Sequence, residues 1–333
     1  MNAGHEVHIF ANRWERDVSP GAILHAVPML KLNRTTKDLS YSWVSSVLAG
    51  RLRPDIVHTQ TRVFKYDIAT LGGGCYMAYL DAVKIERNTS RERATLAIER
   101  AMLSPEGFAK GRRIILNSGK CRDEYIEYYG APEENLEVVY NGVDSDTFRP
   151  RPDIRAAARK EFGLLPNDVA VLFVGPGFQR KGLDTLIQAA KNLPGSVKVL
   201  VVGKGKSIED QRLIRVGQAD SMERCYAAAD IFALPTKYDP FANSTMEALA
   251  SGLPVVTTTS NGVSEIMQDG ENGLIIGPND PDALTIRLRT LAEDSNLRER
   301  LGSAGRVAVQ PYTWQETTRQ TMAVYEKFLA EKT

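Results

Sequence analysis

Cysteine is scarce, and what there is excludes two chemistries. Cys75, Cys121 and Cys225 are odd in number and far apart, so neither a disulfide framework nor a Cys-x-x-Cys metal site is supported, and a reducing compartment fits best. The four histidines (His5, His8, His25, His58) all fall early in the chain with no His-Glu-x-x-His spacing, so zinc and other metal chemistry is not expected. No apolar run approaches the ~20 residues of a spanning helix, and the start lacks the basic and apolar regions of a signal peptide. A soluble cytoplasmic protein, at most peripheral on a membrane, is the expectation. Excess charge of one sign is absent too: 42 Lys and Arg oppose 41 Asp and Glu, a net +1, which gives nucleic acid no reason to bind. What remains is an ordinary globular composition, 43% apolar and 25% charged, in 333 residues, enough for two domains.

Short β-branched runs recur along the chain: EVHIF, AILHAV, DIVHT, RIILN, LEVVY, VAVLFV, VKVLVV, DIFALP, PVVTTT and GLIIG. Helical patterns such as DTLIQAAKNL, SMERCYAAA and STMEALASG alternate with them, which predicts parallel βαβ units and an α/β class. The turn-rich connector NGVDSDTFRPRPD places a boundary near Arg151. Two doubly wound, Rossmann-like domains facing one another are expected, over 1–150 and 151–311. A terminal helix over 312–333, with Trp314, Met322, Val324, Tyr325 and Phe328 as its apolar face, is expected to pack back on the first.

The segment VLFVGPGFQRKGLDTLIQ carries the first chemical signal. A strand feeds a turn bearing Gly175 and Gly177 and then a helix, where unshielded amides and a helix N-terminus favour anions; Arg180 and Lys181 stand beside that turn. A planar fork and a point cation together suit a diphosphate. Each also fits a solvated loop exit. The second signal is YDPFANSTMEALASGLPVV, where Asp239 and Glu247 stand eight apart around a helix start expected at Asn243 or Ser244, both good N-caps. A carboxylate there suits a vicinal diol, accepting two hydrogen bonds at once, though an acid early in a helix is favoured by the macrodipole in any case.

Taken in order, VVYNGVDSDTFRP, VLFVGPGFQRKGLDTLIQA, VLVVGKG, YAAADIFALPTKYDPFANSTMEALASGLPVVTT and NGVSEIMQDGENGLII resemble the retaining nucleotide-sugar glycosyltransferases of family 4 (group 1), which have the GT-B fold, and within them the lipopolysaccharide-core hexosyltransferases. The resemblance implies a metal-independent transferase that moves a hexose from a nucleotide-diphosphate sugar, a UDP-sugar, to a lipid-linked or core glycan. By it, Arg180 and Lys181 hold the diphosphate, and Glu247 is the second acid of the family's Glu-x7-Glu, on the ribose. Asp239 replaces the first acid, facing the transferred sugar. Ala242, Asn243, Ser244 and Thr245 match the helix-start residues near phosphate and sugar, with Ala242 where the family often has Gly. Val216, Gly217 and Gln218 become base neighbours. No cofactor beyond the donor is implied.

In the first domain DIVHTQ and DIATLGGGCYMAYLDA resemble the acceptor side, with Tyr76 where relatives often have His; Asp67, Gly73, Tyr76 and His58 are the candidates there. The acceptor implies contact with the anionic inner membrane, and Ala82 to Arg113, eight basic against four acidic residues, offers a basic helical face. A same-fold epimerase or sugar-phosphate synthase, or a non-catalytic binding relative, stays open. MNAGHEVHIF reads as the end of a helix, a glycine stop and a strand, so the first domain is expected to lack its first βα unit and with it a glycine-rich loop.

Overall fold

The computed structural model describes residues 4–14, 21–85, 89–205 and 210–332. The chain divides into two units: unit 1 is Met1–Leu116, Arg122–Val138 and Thr321–Thr333, and unit 2 is Asn117–Cys121 and Val139–Gln320. The segment that reads as a connector belongs to unit 2, because its own groups bind there. Val143 N–H donates to the Tyr312 carbonyl at 2.9 Å, and the Phe148 and Tyr226 rings meet edge to face at 5.6 Å.

Unit 2 is built on a six-stranded sheet. Its strands in chain order are β7 (Val169–Val174), β8 (Val197–Val202), β9 (Leu213–Gly217), β10 (Ile231–Leu234), β11 (Val255–Thr258) and β12 (Leu274–Ile276). Every pair is parallel. The spatial order is β12-β11-β10-β7-β8-β9. Runs such as VAVLFV and VKVLVV read as near-continuous apolar stretches because both faces are covered; Leu172, Phe173, Leu200, Ile231 and Phe232 are buried. Strands added after β7 go to one side and those from β10 onward to the other, so the order reverses between β7 and β10. The loops leaving the carboxyl ends of those two strands diverge and open a crevice, the place where open parallel sheets receive ligands.

Unit 1 carries β1 (His8–Ala11) paired in parallel with β2 (Ile23–Ala26), and a separate parallel ladder of β3 (His58–Thr59), β4 (Ile68–Thr70), β5 (Arg113–Leu116) and β6 (Leu136–Val138). Among the described residues these are two sheets, not one. The helix Arg34–Leu52 opens on a capping box between Asn33 and Thr36, and the helix Ser90–Met102 on one between Thr89 and Glu92. Gly4 is left-handed at φ 80°, as a glycine stop requires, while the helix end read over Met1 to Ala3 lies outside the described residues.

Two expectations need correction. The terminal helix, Trp314–Lys332, buries Val324 and Phe328, but Trp314 is 47% exposed: it is the first helical residue and does not join the apolar face. The stretch from Ala82 to Arg113 is not one basic helical face either. It breaks into the helices Ser90–Met102 and Pro105–Phe108 and enters β5, and both Glu99 and Arg113 turn inward, Arg113 forking onto the Glu331 carboxylate at 2.5 and 2.6 Å.

Candidate active site

The crevice of unit 2 collects the residues that the sequence singles out. After β7 the chain turns through Gly175 (φ 139°) and Gly177 (φ 76°) into the short helix Phe178–Lys181. A side chain at Gly175 would meet the Lys181 Cε at 2.9 Å, so glycine there lets the lysine fold back over its own loop. Lys181 is only 7% exposed and Asp239, on the loop after β10, only 4%. The Asp239 Oδ2 atom accepts from Arg180 at 2.8 Å and forms an ion pair with Lys181 Nζ at 2.7 Å, while Arg180 also donates to the Tyr238 carbonyl at 2.9 Å. Two loops from two strands are thus tied by one carboxylate. Arg180 and Lys181 bring two positive charges against one negative, leaving a surplus cation at the crevice. The Nε and second terminal nitrogen of Arg180 and the Oδ1 of Asp239 carry no hydrogen bond among the described residues.

The helix expected after Asp239 runs Asn243–Ala250, with Ala242 as its N-cap and no side chain capping it. Neither Asn243 nor Ser244 is the cap. Asn261, fully buried, takes over the organisation of this turn: its Oδ1 accepts from Ala242 N–H at 3.2 Å, and its Nδ2 donates to Thr245 and Thr257 hydroxyls at 3.0 Å each. Asn141 donates to the Asn243 side-chain oxygen at 2.8 Å, joining the YNGVD stretch to the helix start. The amides of Asn243 and Ser244 carry no hydrogen bond among the described residues, and the buried Ser244 Oγ has no partner there either. A helix N-terminus beside two cations favours an anion.

One turn in, Glu247 accepts from the Tyr226 hydroxyl at 2.7 Å. Burial pushes the Glu247 carboxyl up from the ordinary range, against the lowering by that hydrogen bond and by Lys181. Burial, then the neighbouring carboxylate, raises the Tyr226 hydroxyl well above its usual value, so it stays a neutral donor. Val216 and Gly217, at the end of β9, are half-buried and exposed respectively, with Gly217 at φ 74°. Among the described residues no hydrogen bond or ion pair joins them to the Arg180–Lys181–Asp239 cluster. Sequence reasoning missed Tyr226, Asn261 and Glu265. Glu265 accepts from the amides of Gly119 and Lys120 at 2.9 and 2.5 Å and from the Tyr140 hydroxyl at 3.1 Å. Tyr226 sits in YAAADIF and the other two in NGVSEI, which were read as motif pieces and not as individual donors and acceptors.

Among the described residues no group of three or more His, Cys, Asp or Glu could hold a metal ion, and no helix is long and apolar enough to cross a membrane. In unit 1 the candidates scatter. His58 bonds the Tyr325 hydroxyl at 2.5 Å and the Thr70 hydroxyl at 2.8 Å, and burial lowers it to about 4. Both ring nitrogens are engaged, as in a structural imidazole. Asp67 accepts from Val57 N–H at 2.7 Å. Gly73 is exposed, and Tyr76 opens the helix Tyr76–Ala82.

Two family models match this chain: "Glycosyl transferases group 1" over residues 168–294 and "Glycosyltransferase Family 4" over residues 1–147. By these two matches the chain belongs to the group 1, family 4 glycosyltransferase family. Among relatives, the D-inositol 3-phosphate glycosyltransferase of Xylanimonas cellulosilytica is 30% identical over 64% of this chain and 56% of its own length. The chain spans little more than half the length of that and similar curated relatives. The solved structure of WaaG, a glycosyltransferase involved in lipopolysaccharide biosynthesis, superposes with a TM-score of 0.84 at 22% identity, covering 97% of this chain and 91% of that one. HepE from Anabaena, solved with UDP-glucose, gives 0.65 at 19% identity over 93% and 86%. These likenesses establish the GT-B fold, with its two Rossmann-like domains, for this chain.

Proposed function

We propose that this glycosyltransferase moves a hexose from a UDP-sugar to a glycan acceptor with retention of anomeric configuration, unit 2 holding the donor. The observation that carries this is the convergence of Arg180 and Lys181 on Asp239 at the strand-order reversal, one turn of helix from Glu247. Negative charge grows on the diphosphate as the bond from the sugar C1 breaks, and fixed cations stabilise that state more than the ground state. With Lys181 and the free edge of Arg180 on the phosphates, no divalent metal is required. The unbonded amides of Asn243 and Ser244 and the orphaned Ser244 Oγ supply further donors. Asp239 keeps Oδ1 for a sugar hydroxyl while its other oxygen orients both cations, and Glu247 accepts from the ribose diol.

Retention follows without a protein nucleophile. The C1–O bond to the diphosphate breaks, the acceptor oxygen bonds C1 on the same face, and its proton passes to the diphosphate oxygen that leaves. HepE, solved with UDP-glucose, supports a UDP donor, and WaaG's part in lipopolysaccharide biosynthesis supports a lipid-linked core acceptor on the cytoplasmic side, with peripheral contact to anionic lipid. Incubating the protein with a panel of UDP-hexoses and following UDP release tests this reading. Release from one of them, lost in the Arg180→Ala/Lys181→Ala chain, is expected; no release from any, with or without glycan, would sink it.

A further inference from the structure

Unit 1 contains a cavity of about 970 Å³ whose wall, Tyr76 apart, none of the motifs accounts for. It opens where the chain leaves β1, β2 and β3, the carboxyl ends of parallel strands, and every residue lining it belongs to unit 1. Its charge is one-sided. Arg13, Lys31, Arg34, Lys37 and Arg91 line it, and Asp38 is the one acid on its wall among the described residues. None of those five cations makes an ion pair or a side-chain hydrogen bond among the described residues. Elsewhere the chain pairs its arginines freely, as in Arg155 and Arg159 on Asp230 or Arg151 on Asp153.

The placement runs against local preference. Arg34 is the first residue of the helix Arg34–Leu52, Lys37 lies one turn in, and no acid stands in that turn. The positive end of a helix dipole disfavours cations, so their gathering there is a local rule broken, and such breaks concentrate at functional sites. The floor, by contrast, is rigid. Arg62, a sixth cation on the wall, donates twice to Glu99 at 2.7 and 3.0 Å and stacks over the Tyr76 ring at 5.6 Å. Glu99 is fully buried and also accepts from Tyr76 N–H and from the Tyr125 and Tyr129 hydroxyls. A buried carboxylate therefore fixes one wall, while the facing cations have no side-chain partner among the described residues.

We propose that this cavity binds the phosphate of a phosphorylated sugar, the acceptor of the transfer, with Arg34, Lys37 and Arg91 as its cationic contacts and Tyr76 under the ring. A phosphomonoester carries close to two charges and several acceptor oxygens, which an arginine fork meets in pairs. The volume exceeds that of a bare phosphate and suits a small ligand. The word acceptor rests on the transferase reading; the anion site does not.

Glucose 6-phosphate and inorganic phosphate serve as probes, titrated calorimetrically into the chain at about 0.15 M salt, where diffuse attraction is screened. Both should bind. Affinity should fall about tenfold or more in the Arg34→Gln/Lys37→Gln chain, as expected when charge-assisted hydrogen bonds are removed, and hold in the Arg180→Ala/Lys181→Ala chain. Because Arg34 and Lys37 are exposed, their replacement leaves the fold in place, which a melting curve verifies. Loss confined to the Arg180→Ala/Lys181→Ala chain would overturn the proposal by moving all phosphate binding to unit 2. Sedimentation with phosphatidylglycerol vesicles that depends on Arg34 and Lys37, with no glucose 6-phosphate binding, would overturn the sugar phosphate in favour of a lipid headgroup. UDP titrated in parallel separates the two readings: phosphate binding at the cavity without UDP binding would leave this site standing and fell the donor assignment.

Discussion

Each unit holds a carboxylate that is almost wholly withdrawn from water, and each uses it differently. In unit 2, Asp239 gathers Arg180 and Lys181 onto one oxygen, so the acid holds the working cations themselves. In unit 1, Glu99 gathers one arginine, two tyrosines and a backbone amide, and the exposed cations stand beyond it, unpaired among the described residues. The first arrangement presets two charges at a fixed spacing for a defined ligand. The second fixes a wall and leaves the charge mobile on long side chains. A pair of phosphates of known separation suits the former, and a more variable anion the latter.

The largest expected effect breaks the unit 2 arrangement outright. In the Arg180→Ala/Lys181→Ala chain each lost cation should lower turnover on the order of 10²-fold or more, by analogy with removing one positioned electrostatic group. Asp239 would then be an uncompensated buried carboxylate, so Asp239→Asn is added in a second chain to relieve it. Transfer rates and melting curves of both distinguish lost chemistry from lost folding. Wild-type turnover in either would refute the role of the pair.

Next in size is Glu99→Gln, which leaves the Arg62 guanidinium buried without its counter-charge. Burial acts to lower the Arg62 pKa, and Glu99 more than offsets that. Breaking such a pair costs about 3–5 kcal/mol. The loss should show in urea denaturation, while UDP binding by the still-folded protein keeps its affinity. A loss below about 1 kcal/mol would mean that Arg62 and the tyrosines find other partners.

These two clusters also explain what was legible beforehand. Arg180, Lys181, Asp239 and Glu247 lie on two short stretches whose glycines and strand-helix rhythm announce a ligand loop, and both stretches follow the strands at which the order reverses. The partners of Glu99 come from Arg62, from Tyr76 and from the helix Gly119–Tyr129, which carries Tyr125 and Tyr129 one turn apart; these three segments are far apart in sequence, so only the folded chain brings them together. Tyr226 and Asn261 escaped for the same reason, each acting across a strand crossing. The motif position of Asp239 is visible in the sequence, whereas its second task, holding Arg180 and Lys181 with one oxygen, is visible only in the folded chain. The basic run from Ala82 to Arg113 misled because composition counts charges without regard to the side they face.

A smaller effect separates the units by pH. Burial lowers His58 from 6.5 to about 4, so as pH falls the unfolded chain takes up the proton first and folding loses stability across that window. The loss approaches about 3 kcal/mol at the acid end, at 1.36 kcal/mol per pKa unit, and is nil above pH 6.5. His58→Gln should flatten the dependence of the urea midpoint between about pH 5 and 6.5, before the carboxylates titrate. An unchanged slope would place the imidazole in contact with water.

The smallest expected effect sharpens the division of labour within unit 2. Glu247→Gln keeps shape and one acceptor oxygen but removes the charge, and the hydrogen bonds to a ribose diol should weaken by about 1.5–3 kcal/mol in the affinity for UDP. Asp239→Ala should instead slow transfer by more than it weakens UDP, since UDP lacks the sugar that Oδ1 would meet and loses only the orientation that Oδ2 gives Arg180 and Lys181. The Tyr226 hydroxyl gives an independent handle, because it lowers the Glu247 pKa and burial raises it. Tyr226→Phe removes that lowering, so the carboxyl should protonate at higher pH and UDP affinity should begin to fall at a less acidic pH than in the parent chain. Equal losses of UDP affinity in Glu247→Gln and Asp239→Ala would show that both acids meet the nucleotide. An unshifted pH profile in Tyr226→Phe would show that the diol is held by another group, leaving Glu247 as a helix acid whose carboxyl burial raises.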